Sequence, residues 1–168
     1  RKFSCVIGNP PYVTISGKGN IYTSFVDNLI NYSDSNSCSS LIVPLSICYS
    51  QVAEFVNLRN RIFDERDAVW EFYNYDRSPD SLFGDQVKTR NTILFRTSNA
   101  GEKAFYTTGL QRWTSENRGG LFSNIKQVQF SRCGLSIIPK IATEIERIAF
   151  EKLSTGKNSI SQLCAKNN

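Results

Sequence analysis

The 168-residue sequence contains no histidine and no methionine. Without histidine the commonest general base is missing, and so are the Ser–His and Cys–His pairs that activate a nucleophile. The five cysteines, Cys5, Cys38, Cys48, Cys133 and Cys164, form no C-x-x-C pair. With no histidine beside them, neither a zinc site of the usual spacing nor any other metal site is expected. Their odd number and scattered positions suit reduced thiols in a cytoplasmic protein rather than a disulfide framework. No apolar run approaches the length of a membrane span, and the first residues lack a signal-peptide pattern. The lack of methionine extends to position 1: the chain opens on Arg1 and enters an apolar run almost at once, which reads as an internal stretch of a longer protein. Charge is also modest. Twenty Lys+Arg against 15 Asp+Glu give a formal net charge of +5, which admits a nucleic-acid partner without requiring one.

What the sequence does have is concentrated first in Phe3–Tyr12, FSCVIGNPPY. Cys5, Val6 and Ile7 read as the end of a buried strand, and Gly8 lets the backbone turn. Two consecutive prolines fix φ and carry no N–H donors, so the carbonyls of Asn9 and Pro10 project in fixed directions. An amide, a fixed carbonyl and an aromatic ring, Tyr12, are gathered where a strand stops, the place where open α/β sheets bind ligands. The bland alternative is a rigid strand-end turn with an incidental tyrosine. The corner resembles the Asn/Asp/Ser-Pro-Pro-Tyr/Phe tetrapeptide of S-adenosylmethionine-dependent amino-methyltransferases. In the form VIGNPPY it is most similar to adenine-specific DNA methyltransferases of restriction-modification systems. The resemblance implies a flipped adenine whose exocyclic amine donates to Asn9 and to the Pro10 carbonyl, with Pro11 stiffening the corner and Tyr12 stacking on the base. Such chemistry needs no histidine, because the donor methyl is already activated and positioning does most of the work.

The remaining pattern predicts an α/β fold: a partial doubly wound, Rossmann-like sheet with an antiparallel terminal hairpin. Val13–Asn20 (VTISGKGN) is a polar loop, either a flap beside the site or a connector. Ile21, Phe25, Leu29 and Tyr32 mark a helix over Ile21–Tyr32. Ser33–Ser40 reads as a loop and Leu41–Pro44 as a short strand. Ser50–Asp64 reads as a helix burying Val52, Phe55, Val56, Ile62 and Phe63. Ala68–Tyr75 and Asn91–Arg96 are strands, with a turn at Arg77–Asp80 between them. Lys103–Thr108 and Gln127–Phe130 are candidate further strands. Gly109–Gly120 places Trp113 between Arg112 and Arg118, as a nucleic-acid surface or as a ring covered by a loop. Pro139–Leu153 reads as a helix with Ile141, Ile145, Ile148 and Ala149 on one stripe, stopped by Gly156. The resemblance implies that residues 1–108 are the C-terminal half of a methyltransferase catalytic domain and that residues 109–168 are an extension leading toward a target-recognition region.

A second constellation lies in Asp76–Phe95, DRSPDSLFGDQVKTRNTILF. The family resemblance continues there. It implies that Phe83 contacts the flipped base opposite or edge-on to Tyr12; the competing reading makes Phe83 a local core anchor. Lys18, Lys88, Arg90 and Arg112 are candidates for the DNA backbone. The resemblance implies S-adenosylmethionine as cofactor, held mostly outside this stretch because no glycine-rich turn precedes Asn9. The implied partners are double-stranded DNA and a specificity or restriction subunit or domain, with no membrane. A protein-glutamine or RNA amino-methyltransferase, and a non-catalytic DNA- or partner-binding module of the same fold, stay open as alternatives.

Overall fold

The computed structural model describes residues 2–16, 19–84, 89–123, 125–134 and 136–155. In chain order, β1 (Phe3–Gly8) leads to a small hairpin, β2 (Thr14–Ile15) and β3 (Gly19–Asn20), and then to α1 (Ile21–Tyr32). There follow β4 (Ser33–Pro44), α2 (Ser46–Tyr49), α3 (Ala53–Asp64), β5 (Ala68–Tyr75), β6 (Asn91–Ser98) and β7 (Lys103–Thr107). A 3₁₀ turn at Ser115–Gly120 precedes β8 (Val128–Gln129) and α4 (Glu144–Thr155). Among the described residues six strands form one mixed sheet in the order β1-β4-β6-β5-β7-β8. β1 and β4 are parallel, as are β5 and β7; the pairs β4–β6, β5–β6 and β7–β8 are antiparallel. The α/β class and the antiparallel β5–β6 pair are those expected, and β7 and β8 extend the sheet beyond that pair. No helix among the described residues is long and apolar enough to cross a membrane.

Alternation at period two explains both faces of the sheet. Along β5, Ala68, Trp70 and Phe72 enter the main core together with Leu41, Val43 and Leu94. α1 contributes Tyr22, Val26 and Leu29 to that core, and α3 contributes Phe55, Leu58, Ile62 and Phe63. On the opposite face, Tyr75, with Tyr73 and Ile93 beside it, packs against Trp113, Leu121, Leu82 and Ile125. The segment after β7 therefore covers the second face. Trp113 is buried there, with the Arg118 guanidinium 5.5 Å from its ring centroid.

Several element boundaries depart from the sequence reading. Ser33–Ser40 is strand, not loop, because β4 runs its full length between β1 and β6. Ser33, Ser37 and Ser39 face inward at alternate positions. Two of the hydroxyls on this side are satisfied by the buried Arg96, which donates to Ser37 Oγ (3.2 Å) and Ser98 Oγ (2.6 Å) and pairs with Glu65. Polar composition hides a strand when its inward serines meet a polar interior. The Ser50–Asp64 helix starts only at Ala53, and Val52 caps it at 59% exposure instead of lying in the core. Arg59 is buried in its place, its guanidinium donating to the carbonyls of Ile47 (2.8 Å), Ser50 (2.6 Å) and Ser136.

The last helix begins at Glu144, not Pro139. Residues 138–141 are spent on the core instead: Ile138 and Ile141 are buried, Ile138 N donates to Cys48 O (2.8 Å), and the Pro139 carbonyl accepts from Thr107 Oγ1 (2.7 Å). Thr143 and Glu146 then form a capping box, each accepting from the other's backbone N–H at 3.2 Å. Ile145 and Ile148 are exposed, so they do not share a buried stripe with Ile141. Gly156, the expected stop, lies outside the described residues. On α1 the buried stripe is Tyr22, Val26 and Leu29, while Phe25 and Tyr32 are exposed. These two rings line a groove of about 360 Å³ with Phe3, Cys5 and Ile7 of the edge strand β1.

Candidate active site

The strand directions bring chemistry to one end of the sheet. β1, β4, β5 and β7 finish there, and β6 starts there, since Gly8 pairs with Leu41, and Asn91 pairs with both Pro44 and Tyr75. The Asn9–Tyr12 corner is thus at the carboxyl end of a parallel edge strand, as its sequence implies. A Cβ on Gly8 would approach Leu41 Cδ2 to 3.1 Å, so a larger residue would shift the turn that starts the corner. Pro10 is buried and anchors it; Asn9 and Pro11 are exposed. Among the described residues no protein group engages the Asn9 amide.

Tyr12 is fixed from behind. Its hydroxyl donates to the Ile42 carbonyl of β4 (3.2 Å), and its ring meets Tyr22 of α1 edge-on, with centroids 6.2 Å apart. Tyr22 in turn bonds to Ser46 Oγ (2.8 Å) and packs on Phe55. Burial, helped by the neighbouring Tyr22, pushes the Tyr12 phenol up to about 12, so it stays neutral near pH 7. The following loop closes back on the fold: Ile21 N donates to Val13 O (3.0 Å), and Asn20 N donates to Glu54 of α3 (3.1 Å). Its central part forms the β2–β3 hairpin, while Lys18, the backbone candidate in it, lies outside the described residues.

Phe83, 71 positions from Tyr12 in the chain, lies against it: ring centroids are 6.4 Å apart and the planes are inclined at 68°. The turn carrying Phe83 is closed by Gly84 N donating to Ser81 O (3.3 Å), and Gly84 adopts φ +73°, open to glycine without strain. Leu82 packs into the second cluster, beside Tyr75 and Trp113, and Phe83 is only half-buried. The two residues selected as walls for a planar ring are therefore neighbours. Their near-perpendicular planes suit one face contact and one edge contact.

Sequence reasoning missed Asp76. It follows β5, is 3% exposed, and accepts from Arg90 Nε (2.8 Å), Arg112 Nε (2.9 Å) and the Arg77 backbone N–H (2.8 Å). Burial by itself would raise the Asp76 carboxyl, but the Arg90, Arg77 and Arg112 donors outweigh it and bring the group down to about 2. Arg90 and Arg112, predicted as separate backbone contacts, are thus brought together on one carboxylate. The signal available in sequence was an aspartate directly after an apolar strand, followed 14 and 36 positions later by arginines, one just before β6 and one in the segment after β7. Lys88 lies outside the described residues. Lys140, not predicted, sits 4.9 Å from the ring centroid of Tyr49 at the end of α2.

The Asp76 linkage has a defined sign. Its folded pKa lies below the usual carboxylate value of 3.8, so its contribution to stability is fully present above about pH 4 and is lost as pH falls through about 2. Chemical denaturation of the parent and of Asp76→Asn at a series of pH values should show a stability gap above pH 4 that narrows steadily below it. A gap independent of pH across that window would show that the ionised carboxylate is not what the two arginines stabilise.

Residues 1–78 match the Eco57I restriction-modification methylase family. That match takes in the Asn9–Tyr12 corner and accords with the resemblance read from it. No match was found among curated proteins. Among solved structures, the chain is similar to DrdV in a DrdV–DNA complex (TM-score 0.66, 13% identity, covering 81% of this chain and 18% of that one). It is also similar to the Type ISP restriction-modification enzyme LlaGI bound to a DNA substrate mimic (TM-score 0.59, 15% identity, 80% and 18% covered). A third similarity is to a modification subunit of a putative type I restriction enzyme from Vibrio vulnificus YJ016 (TM-score 0.53, 9% identity, 84% and 37% covered). At these identities the likeness is one of fold, and the chain spans well under half the length of each of these proteins.

Proposed function

We propose that this chain carries the base-binding part of a DNA methyltransferase of a restriction-modification system, acting on the exocyclic amine of an adenine. One observation carries the reading: Asn9 sits at the carboxyl end of β1 with its amide unengaged by described residues, next to the Tyr12–Phe83 pair. In the proposed complex the flipped base lies on Tyr12 and is met by Phe83. Its amine donates one hydrogen to the Asn9 side-chain oxygen and the other to the Pro10 carbonyl. These acceptors draw the nitrogen toward a tetrahedral shape and free a lone pair otherwise delocalised into the ring. The buried phenol of Tyr12 stays neutral and offers a face, not a charge, to the base. Arg90 and Arg112 lie on the same rim for the phosphate backbone, and Lys18 and Lys88 are further backbone candidates.

The donor this chemistry calls for is S-adenosylmethionine, which supplies an activated methyl group. Among the described residues no glycine-rich turn follows a strand beside β1, and the free edge of β1 is lined by exposed Phe3 and Ile7. The residues present do not by themselves fit that donor, so most of its cradle is assigned to polypeptide outside these 168 residues. A specificity or restriction subunit or domain is the further partner this reading expects, with residues 109–168 leading toward target recognition.

The test is to incubate the intact protein with methyl-labelled donor and, separately, duplex DNA, RNA and cytosolic protein. Label in duplex DNA, recovered after hydrolysis as N6-methyladenine, is the expected result. Label recovered as a methylated cytosine, or only in RNA or protein, would overturn the assignment.

A further inference from the structure

Three chain segments converge on Asp76 at the rim of the site. Tyr75 forms a bridge with Gln111, Asp76 N donates to Gln111 O (2.8 Å), and Gln111 N donates to Asn74 O (2.8 Å). This zipper places Arg112 beside the end of β5, while Arg90 arrives from the start of β6. The carboxylate is 3% exposed, yet the side chains it holds are 47% (Arg90) and 69% (Arg112) exposed. Each arginine spends only its Nε on Asp76, one on each carboxylate oxygen. The terminal guanidinium nitrogens have no protein acceptor among the described residues. A guanidinium that gives only Nε to a carboxylate keeps the terminal donors of its planar fork for another acceptor.

Charge makes this arrangement incomplete. One carboxylate faces two guanidiniums, which leaves one net positive charge and two like charges side by side. A phosphodiester carries one negative charge and accepts from such forks in bidentate fashion. We infer that Asp76 is a positioning residue that sets Arg90 and Arg112 as a clamp for a single backbone phosphate of DNA bound at this rim. The inference rests on the DNA reading above and goes beyond it by assigning the role of the carboxylate and the pairing of the arginines. Asp76 touches no substrate in this scheme; it acts through the two guanidiniums.

The sign of one substitution separates a clamp from a merely basic surface. Asp76→Asn removes a negative charge from a face that meets a polyanion. If overall charge is what matters, affinity for DNA must rise. If Asp76 positions the arginines, affinity must fall. The measurement is the affinity of the intact protein for a 25-base-pair duplex over a range of salt concentrations, with the melting temperature recorded for each variant. Asp76→Asn is expected to bind about tenfold more weakly and to lose about one unit from the slope of log affinity against log salt. Asp80→Asn, a change at an aspartate whose side chain accepts from Ser115 and from neither arginine, is expected to leave affinity equal or raised. Should Asp76→Asn fail to fold, Arg90→Gln, Arg112→Gln and their combination decide the matter. A shared phosphate makes the double variant weaker than the parent by much less than the product of the two single effects, whereas independent contacts multiply. Tighter or unchanged binding by folded Asp76→Asn, or multiplicative arginine effects, overturns the clamp. Methyl transfer to adenine, assayed on the same preparations, keeps the two proposals apart. A parent that methylates adenine while Asp76→Asn binds tightly loses only the clamp. A parent that binds duplex through the clamp without methylating adenine loses only the enzymatic reading.

Discussion

Asn9→Ala should leave the fold intact and lower the rate of methyl transfer by a factor on the order of 10²–10³, the range found when a single hydrogen-bonding group that stabilises a transition state is removed. The structure makes this substitution unusually easy to interpret. Asn9 is exposed, and no described residue accepts from or donates to its side chain, so truncation leaves no buried group unsatisfied. The rigid part of the corner, Pro10 and Pro11, is untouched, and Tyr12 keeps its anchors on Ile42 and Tyr22. Thermal stability should therefore move by no more than a surface change does, about ±0.5 kcal/mol. Asn9→Asp retains an acceptor oxygen at the same place and should be less impaired than the alanine variant. Single-turnover methylation of a duplex containing the target reads the effect without interference from product release. A rate for Asn9→Ala within a few-fold of the parent would remove Asn9 from the chemistry and return the corner to a structural turn.

The sequence revealed this corner because its signal is local. Two prolines, an adjacent asparagine and a preceding apolar triplet determine geometry over ten residues, and no distant contact is needed to complete the pattern. The same is true of α1, whose ends agree with the periodicity. What could not be read was whatever depends on partners far along the chain. Ser33–Ser40 carries no apolar alternation because its inward hydroxyls answer to Arg96, about 60 positions away. Phe25 and Tyr32 looked like a core stripe because apolar spacing does not say which of two apolar helix faces finds a partner. Asp76 escaped notice because a single carboxylate acquires meaning only when three separate chain segments converge on it. Pro139 was assigned to a helix start by its usual position, but its carbonyl is taken by Thr107, which commits it to the core. Site residues as far apart as Tyr12 and Phe83, 71 positions, could be nominated by resemblance; that the two stand ring to ring is knowledge only the fold supplies.

The proximity of these two rings yields a second large effect. An extrahelical base surrenders its stacking in the duplex, and the protein must return that energy through its own aromatic faces. In the proposed complex Tyr12 provides one contact, its ring held by the Ile42 carbonyl and Tyr22. Phe83 is the group placed to provide the other, from a turn whose Leu82 is packed in the second cluster and whose Phe83 is not. Base–aromatic stacking contributes about 1–3 kcal/mol by alanine substitution, so Phe83→Ala should weaken transition-state binding by up to roughly two decades. Phe83→Trp preserves an aromatic face and should retain most of the activity. The alternative role makes different demands. A ring that merely anchors the loop would, when truncated, lower the melting temperature and leave the rate below that temperature nearly unchanged. The half-burial of Phe83 limits how large that structural penalty can be, whereas the loss of one wall of the proposed base pocket is not limited in this way. Replacing the target adenine by 2-aminopurine separates the two. Its emission rises when it leaves the stack and falls when an aromatic ring closes on it, so Phe83→Ala should change the fluorescence of the protein–DNA complex as well as the rate. Unchanged emission and an unchanged methylation rate, accompanied by a lowered melting temperature, would assign Phe83 to the loop's packing and place the second wall on another residue.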